Sequence, residues 1–360
     1  MSGADLLAAL ETSVENLSAA PTLAAMPRRT LADKGIDGPT GAHVIEEIHT
    51  PFNLAYITVT TGSTAFQNIV GVTAEELPDR IAAARRALTL AGVQTGDHLL
   101  FTYPPLVNVF PKEALEQAGV SWSFLRTSSR DALNLALCQD RPAVVIGESS
   151  FLRLALEGAA QLGLTPLLPE QLIFIAAGTP LDPALAVTAQ DTCKGIVHDL
   201  YGCQEFGWLT LNGVPLRDDL TLYQSDDSEY RDLLVGGLPT GDRFPVLDSG
   251  HCQNAAGKII TYARQRGACD PEVVILASTA RGRETVERLA KTITRIKAKV
   301  VTLSPELVLG HTHTVLSISS GAAPALRLEG PQTRMFDCLL AAQMAYQAGC
   351  KTDPAWIKGR

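Results

Sequence analysis

Hydrophobic and polar positions alternate between two periods along the chain. Between residues 50 and 200, short β-branched or aromatic runs are followed repeatedly by segments with helical spacing. The runs predict strands at 54–59, 68–72, 96–101, 121–125, 143–147 and 172–177. The other segments predict helices at 73–90, 112–118, 129–138, 150–162 and 181–193. Strands joined by helices at this spacing indicate an α/β fold, with layered and mostly parallel sheets covered by helices.

The pattern changes on both sides of this region. Residues 1–50 predict one or two helices and then an irregular approach to the sheet, and from residue 209 short strands alternate with turns. Residues 270–305 return to an α/β pattern, and the tail predicts a strand near 315–319 and a helix over 331–348. We therefore predict three segments, namely an α/β core over 1–208, a small β-rich subdomain over 209–268, and a C-terminal α/β segment over 269–360 that packs on the core.

Composition and charge narrow the class of protein. The chain has 360 residues, of which 46% are hydrophobic and 19% charged, which is typical of a large, well-buried globular protein. A net charge of -8 without a Lys/Arg stripe argues against nucleic-acid binding. The amino terminus does not resemble a secretory signal, and no apolar run approaches the roughly 20 residues that span a membrane. The expectation is a soluble, cytoplasmic protein that has neither a nucleic-acid nor a membrane partner.

The cysteines and histidines give no pattern typical of a metal centre. Seven cysteines are an odd number, and none forms a C-x-x-C pair, which favours reduced thiols over a disulfide framework or a structural zinc site. His251 lies next to Cys252, and His311 lies close to His313, but neither pair has a matching second pair. The sequence therefore predicts no protein-built zinc site.

One turn combines an aromatic ring, a glycine and a carboxylate. Tyr201-Gly202-Cys203-Gln204-Glu205 follows the apolar run 195–197, where a buried strand would open into a tight turn. Open α/β sheets bind ligands at such strand ends. The ring can cover a flat group, the glycine allows close backbone approach, and the carboxylate can hold Mg²⁺ beside a phosphate. A simple Tyr-Gly turn that ends in a surface glutamate remains the alternative.

A second turn is rich in hydroxyl groups. Thr60-Thr61-Gly62-Ser63-Thr64 lies between the first two predicted strands and offers hydroxyls and free backbone N–H groups in a small volume. Such a loop can hold phosphate without a fixed cation. The alternative is an ordinary hairpin whose Ser and Thr side chains cap their own turn.

These two turns, together with Gly178-Thr179-Pro180 after a predicted strand, resemble three landmarks of the adenylate-forming (ANL) superfamily. The resemblance is greatest to its phenylacetate-CoA ligase branch, and Thr95-Gly96-Asp97 and Gly147-Glu148-Ser149-Ser150-Phe151 are similar to further segments there. The five landmarks occur in the same order over residues 50–250. The resemblance implies the fold of the family's large N-terminal domain and an enzyme that uses ATP and Mg²⁺ to adenylate a carboxylic acid.

The resemblance also implies site residues. It implies phosphate binding by Thr60, Thr61, Gly62, Ser63 and Thr64, of which Thr61 and Thr64 join Glu205 as catalytic candidates. It implies binding of the nucleoside by Gly178, Thr179, Pro180, Tyr201, Gly202 and either Asp242 or Asp248, which compete for the ribose. It implies Mg²⁺ binding by Glu205. The acid would lie among Gly147, Phe151, Tyr201 and Trp208, although single apolar residues are more often part of a core.

The departures from the family pattern are informative. Ala65-Phe66-Gln67 stands where the family loop continues Gly-Lys-Pro, Gln204 replaces a small hydroxyl residue, and nothing after residue 250 resembles the rotating lid with its catalytic lysine. Because it is short and has no such lid, the chain resembles the small adenylating proteins of antibiotic pathways, including phenazine biosynthesis. This resemblance implies an aromatic carboxylate whose acyl-AMP passes to a downstream reductase or transferase. Two alternatives are an acyl-protein synthetase that loads Cys338 or Cys350, and a non-catalytic carboxylate- or nucleotide-binding protein.

Overall fold

The computed structural model describes much of the chain. It covers residues 3–18, 54–59, 69–73, 76–102, 109–224, 229–247, 252–254, 257–266, 272–278, 300–309, 314–319, 325–334 and 336–338. The described residues fall into two compact units. The first unit takes those within Met1–Thr30, Arg80–Cys203 and Gly207–Leu216, and the second takes those within Leu31–Asp79, Gln204–Phe206 and Arg217–Arg360.

The helices and strands of the described residues are numbered in chain order. The helices are α1 Gly3–Ser18, α2 Leu77–Leu90, α3 Lys112–Ala118, α4 Arg130–Gln139, α5 Ser149–Gln161 and α6 Ala184–Cys193. The strands of the first half are β1 Leu54–Val59, β2 Ile69–Thr73, β3 His98–Phe101, β4 Ser121–Phe124, β5 Val144–Gly147, β6 Ile173–Ala177, β7 Ile196–Cys203 and β8 Gly207–Leu211. The remaining strands are β9 Val214–Pro215, β10 Leu220–Tyr223, β11 Tyr230–Val235, β12 Leu238–Pro245, β13 Gln265–Arg266, β14 Glu272–Ser278, β15 Val300–Leu309, β16 Val315–Ser319 and β17 Leu326–Leu328.

A seven-stranded sheet forms the centre of the first unit. Its order is β4-β3-β5-β6-β7-β8-β9; the first five strands run parallel, and β8 and β9 are antiparallel additions. Alternate residues of β5 enter different cores, because successive side chains of a strand point to opposite faces. Val144 and Ile146 pack with the alanines of α2, whereas Val145 packs with α1, α4, α5 and α6. The predicted mostly parallel sheet covered by helices is confirmed.

Smaller sheets make up the second unit. β1 and β2 form an antiparallel pair, β10 to β13 form a four-stranded antiparallel sheet, and β15-β14-β16-β17 is a mixed sheet in which β14 and β15 are parallel. The turn between β11 and β12 contains Gly237 at φ +83, where a Cβ atom would lie 2.5 Å from Leu316. Only glycine fits such a left-handed, closely packed position.

Several sequence predictions concern residues outside this description. They are the hydroxyl-rich turn 60–64, Asp248, Cys350, most of the helix over 331–348, and the helix of the 270–305 region. In the tail, the structure shows a short 3₁₀ helix at Gly330–Thr333. Among the described residues, no helix combines the length and the apolar character needed to cross a membrane.

Candidate functional site

Three of the sequence-predicted site segments lie at one edge of the seven-stranded sheet. Gly147 ends β5, Gly178 follows β6, and Tyr201 lies near the end of β7. Gly147 pairs with Ala176, and Ala177 pairs with Leu200, so neighbouring parallel strands present these ends side by side. This is the edge at which open α/β sheets hold their ligands.

Glu148 connects two of these segments. Its carboxylate caps α5, because Oε1 accepts a hydrogen bond from the N–H of Ser150 at 3.0 Å and Oε2 accepts one from that of Phe151 at 2.7 Å. The hydroxyl of Thr179 also donates to Oε1, at 2.7 Å. Burial alone raises the pKa of Glu148, but these hydrogen bonds outweigh it and lower the pKa below its ordinary value. Glu148 is therefore an ionised anchor that fixes Thr179.

The rest of the loop after β6 is fixed to the same helix. Ser149 Oγ donates to the carbonyl of Pro180 at 3.2 Å and accepts from the N–H of Asp182 at 2.9 Å. Arg153 Nε then donates to Asp182 Oδ2 at 2.6 Å. Gly178 adopts φ +94, which glycine tolerates without strain. The Gly178-Thr179-Pro180 turn thus has a defined conformation through hydrogen bonds to α5.

Packing against Thr102, which directly follows β3, requires a glycine at position 147. A Cβ atom there would lie 2.2 Å from Thr102 Oγ1 and 3.2 Å from Leu152. The Thr102 hydroxyl is fixed because it donates to the carbonyl of Ile146 at 3.2 Å. Close packing accounts for Gly147 without any ligand, so its predicted contact with the acid stays a prediction.

A cleft of about 670 Å³ opens beside Glu148 within the first unit. It lies where the amino-terminal ends of α4 and α5 meet, and half-buried Phe151 is part of its wall. The wall residues are Ser128, Ser129, Arg130, Asp131, Asn134, Glu148, Ser150, Phe151, Leu154 and Gly158. The wall combines hydroxyl, charged and apolar groups, and it places Phe151 at a surface that a small molecule can reach.

Tyr201, Gly202 and Cys203 end strand β7, and Gln204–Phe206 form the tight turn that leads into β8. Tyr201 pairs with Thr210 and Gly202 with Trp208, with a bulge between the two pairs. A Cβ atom at Gly202 would lie 2.4 Å from the carbonyl oxygen of Gly207, so the hairpin closes only with glycine here. Packing within the hairpin accounts for Gly202 without any ligand, so its predicted close approach to a ligand stays a prediction.

Two aromatic residues that the sequence predicts to contact a ligand are buried. Tyr201 and Trp208 are each 2% exposed. The Trp208 ring lies 5.0 Å from that of Phe110, centroid to centroid, within the core on the α2 face of the sheet. The geometry supports a packing role for Trp208.

The acidic candidates differ in how completely the structure describes them. Glu205 is partly exposed in the short segment Gln204–Phe206, which belongs to the second unit. Asp242 lies on β12, and its N–H donates to Thr240 Oγ1 at 3.0 Å. No cluster of three or more His, Cys, Asp or Glu side chains occurs among the described residues. A lone carboxylate such as Glu205 fits Mg²⁺, because this ion usually binds one or two carboxylates together with substrate phosphates and water.

The thiol of Cys338, the described candidate for an acyl acceptor, has a raised pKa. Burial, and next the negative charges of Glu76 and Asp79, raise the pKa of its thiol to about 11. The thiolate is the reactive form of cysteine, and a thiol with this pKa is almost fully protonated at neutral pH.

Sequence reasoning assigned no role to Glu148 or to the pair Arg217 and Asp219. Glu148 could have been noticed, because it lies between a buried run and a helical segment, where a carboxylate caps the helix. Arg217 and Asp219 are separated by one residue and carry no local signal. Their role depends on the contacts of the folded chain.

Comparison with known proteins identifies the class. One relative is 51% identical over 367 residues, covering 99% of this chain and 100% of its own length. That relative is a ligase, and the chain belongs to its family, which confirms the predicted enzyme class of acid-activating ligase. The relative is the ACP-SH:acetate ligase of Malonomonas rubra. Residues 212–347 also match the family model for the MadH C-terminal domain.

Several solved structures are similar at a lower level. The amide bond synthetase McbA from Marinactinospora thermotolerans is 16% identical with a TM-score of 0.41, and the match covers 56% of this chain. The chain spans about half, 48%, of that synthetase. The 2-hydroxyisobutyryl-CoA ligase, in complex with 2-HIB-AMP and CoA, is 12% identical with a TM-score of 0.46, over 80% of both chains. At these identities and TM-scores, the similarities support no inference about activity.

Proposed function

We propose that this protein activates acetate with ATP, as acetyl-AMP, and transfers the acetyl group to the thiol of an acyl carrier protein. The observation that carries the proposal is the match with ACP-SH:acetate ligase, at 51% identity over essentially the whole of both chains. The predicted aromatic acid, the phenylacetate-CoA ligase branch and the link to phenazine biosynthesis find no support among the relatives. Acetate therefore replaces the aromatic acid in the proposal, and a carrier protein replaces the reductase or transferase.

The reaction has two steps. An acetate oxygen attacks the α-phosphorus of ATP, and the bond to the β-phosphate oxygen breaks and releases pyrophosphate. The thiol sulfur then attacks the acyl carbon, AMP leaves, and the thiol proton is released to solvent. The first step concentrates negative charge on the phosphates, so positioned donors and charge neutralisation contribute most of its catalysis.

The chain's own residues have defined tasks in this proposal. Glu148 fixes the Thr179 hydroxyl through their 2.7 Å hydrogen bond, and this keeps the turn after β6 in place against the adenine. The hydroxyls of Thr60–Thr64 and their backbone N–H groups hold the β- and γ-phosphates, and Asp242 or Asp248 holds the ribose. Glu205 holds Mg²⁺, which when bound neutralises charge on the phosphates. Gly202 keeps the hairpin that carries Glu205 closed.

Two other functions are less well supported. Transfer to Cys338 requires a thiolate, whereas burial raises the pKa of that thiol to about 11. A non-catalytic binding protein remains the other outcome of the test, since Phe66 stands where the similar loop of the adenylate-forming superfamily has a lysine.

The test measures both half-reactions with the full chain. ATP–pyrophosphate exchange is followed with acetate, propionate, benzoate and phenylacetate. Acetate is expected to give the fastest exchange, and faster exchange with benzoate or phenylacetate would overturn the choice of acetate. Nucleotide binding without exchange for any acid would favour the binding-protein alternative.

The acceptor is identified by mass spectrometry. The protein, ATP and acetate are incubated with a thiol-bearing acyl carrier protein, with free CoA, or with hydroxylamine. The expected products are the acetylated carrier and acetohydroxamate. A covalent acetyl adduct on Cys338 or Cys350, without acetylation of the carrier, would contradict the proposed transfer.

A further inference from the structure

A buried ion pair contacts the turn that carries Glu205. Arg217 is 6% exposed and Asp219 0% exposed. The guanidinium and carboxylate meet in parallel: Nε donates to Oδ1 at 2.8 Å, and Nη2 donates to Oδ2 at 2.7 Å. Asp219 is itself fixed, because its carbonyl accepts from the N–H of Gly236 at 2.9 Å. The pair therefore has one orientation within the second unit.

The remaining amino group of this guanidinium reaches the Glu205 turn. Arg217 Nη1 donates to the carbonyl oxygen of Phe206 at 3.0 Å. Phe206 directly follows Glu205 and is buried, so its peptide group is fixed from both the side-chain and the carbonyl side. Arg217 is a charged donor, and hydrogen bonds from charged donors are about twice as strong as those between neutral groups.

We propose that Arg217 is a positioning residue that fixes the backbone of the Gln204–Phe206 turn and thereby aims the Glu205 carboxylate at Mg²⁺. The inference rests on the proposed function, in which Glu205 holds the metal. Arg217 acts on the turn through one backbone carbonyl, that of Phe206.

The chemistry of the pair favours positioning over simple stabilisation. A buried ion pair is often no more stable than apolar residues of the same volume, because both charges lose their hydration. An arginine nevertheless offers what an apolar residue lacks, namely a planar set of donors that can bind a carboxylate and a carbonyl at once. Burial alone lowers the pKa of Arg217, but the hydrogen bonds and charge of Asp219, together with the charges of Glu76 and Asp79, outweigh it and raise that pKa above its ordinary value.

Three variants separate positioning from folding. Arg217→Lys keeps the charge beside Asp219 but loses the planar fork, and its single amine cannot reproduce all three hydrogen bonds. The double variant Arg217→Gln with Asp219→Asn removes both charges, so no buried charge stays unpaired. Arg327→Lys is the control, because Arg327 forms a 3.5 Å ion pair with Glu329 on an exposed part of the same unit.

The measurement is the Mg²⁺ concentration for half-maximal ATP–pyrophosphate exchange, together with KM for acetate and the thermal unfolding midpoint. The two Arg217 variants are expected to need about tenfold more Mg²⁺, as follows from losing one charge-assisted hydrogen bond. KM for acetate should change less than about twofold, and Arg327→Lys should behave like the wild type.

The possible results of these measurements lead to different conclusions about Arg217 and about the proposed function. Folded Arg217 variants with an unchanged Mg²⁺ requirement would overturn the positioning role while leaving the proposed function intact. A fall in all kinetic parameters in proportion to the loss of folded protein would also overturn it, in favour of a purely structural role. Absence of exchange in the wild type would overturn the proposed function and this inference together.

Discussion

Replacement of Glu148 by glutamine tests the anchor between α5 and the loop after β6. Glu148→Gln keeps the size of the side chain but removes its charge and one acceptor oxygen. The wild-type carboxylate accepts from the N–H groups of Ser150 and Phe151 and from Thr179 Oγ1. Gln can satisfy two of these donors at most, so one of them loses its partner.

The expected loss of stability in Glu148→Gln follows from these contacts. An N-cap acceptor contributes about 1 kcal/mol to stability. The negative charge at a helix amino terminus adds about 0.3–1 kcal/mol. We therefore expect Glu148→Gln to lower the free energy of unfolding by about 1–2 kcal/mol at pH 7. This change in the free energy of unfolding is measured by urea denaturation, with circular dichroism as the signal.

The stability lost in Glu148→Gln should become smaller at low pH. The pKa of Glu148 is lower in the folded protein than its ordinary value of 4.5, so its ionised form contributes stability above that value. The contribution diminishes as the pH falls below the unfolded value and is lost as it passes through the lower folded pKa. The difference between the wild type and Glu148→Gln should therefore stay nearly constant from pH 7 to about pH 5 and shrink as the pH falls below 4.5.

Glu157→Gln is the matched control. Glu157 lies on the same helix and pairs with Arg153 at 2.6 Å, with 38% of its side chain exposed. An exposed i,i+4 pair contributes about 0.3–0.5 kcal/mol. If Glu148→Gln cost no more than Glu157→Gln, or if its cost did not change with pH, the anchor described here would be wrong.

Three further predictions concern the turns of the site. Glu205→Gln should abolish Mg²⁺-dependent pyrophosphate exchange with little change in unfolding, and metal-dependent exchange at the wild-type rate would disprove the metal assignment. Gly202→Ala should cost more than about 2 kcal/mol in urea unfolding, because its Cβ would lie 2.4 Å from a backbone oxygen. Gly158→Ala is the control in helix α5, where the nearest atom lies at 3.8 Å and the change should stabilise by up to about 1 kcal/mol. The double change Ala65→Gly with Phe66→Lys should tighten ATP binding in titration calorimetry, and no gain would contradict a phosphate site in this loop.

The sequence by itself determined the α/β core. β5 alternates between two apolar faces and α3 ends at Gly119, which adopts φ 68; both features follow from local spacing and residue type. The sequence also indicated that Gly178 follows a strand and that Tyr201–Glu205 lies where a strand ends in a turn, because a turn at the end of an apolar run has local signals. The role of the turn that carries Glu205 stays a prediction.

The contacts that fix the site were decided by the tertiary structure. Glu148 meets Thr179 across 31 positions of sequence, and Arg217 meets Phe206 across 11. Trp208 is a large aromatic residue of the kind that often lines a ligand pocket, yet its ring lies in the core beside that of Phe110. Local spacing describes which face a residue occupies, but which side chains meet depends on how strands and loops from distant parts of the chain are brought together. That arrangement sets burial and hydrogen bonding, and these determine whether a carboxylate is an anchor, a ligand or a surface charge.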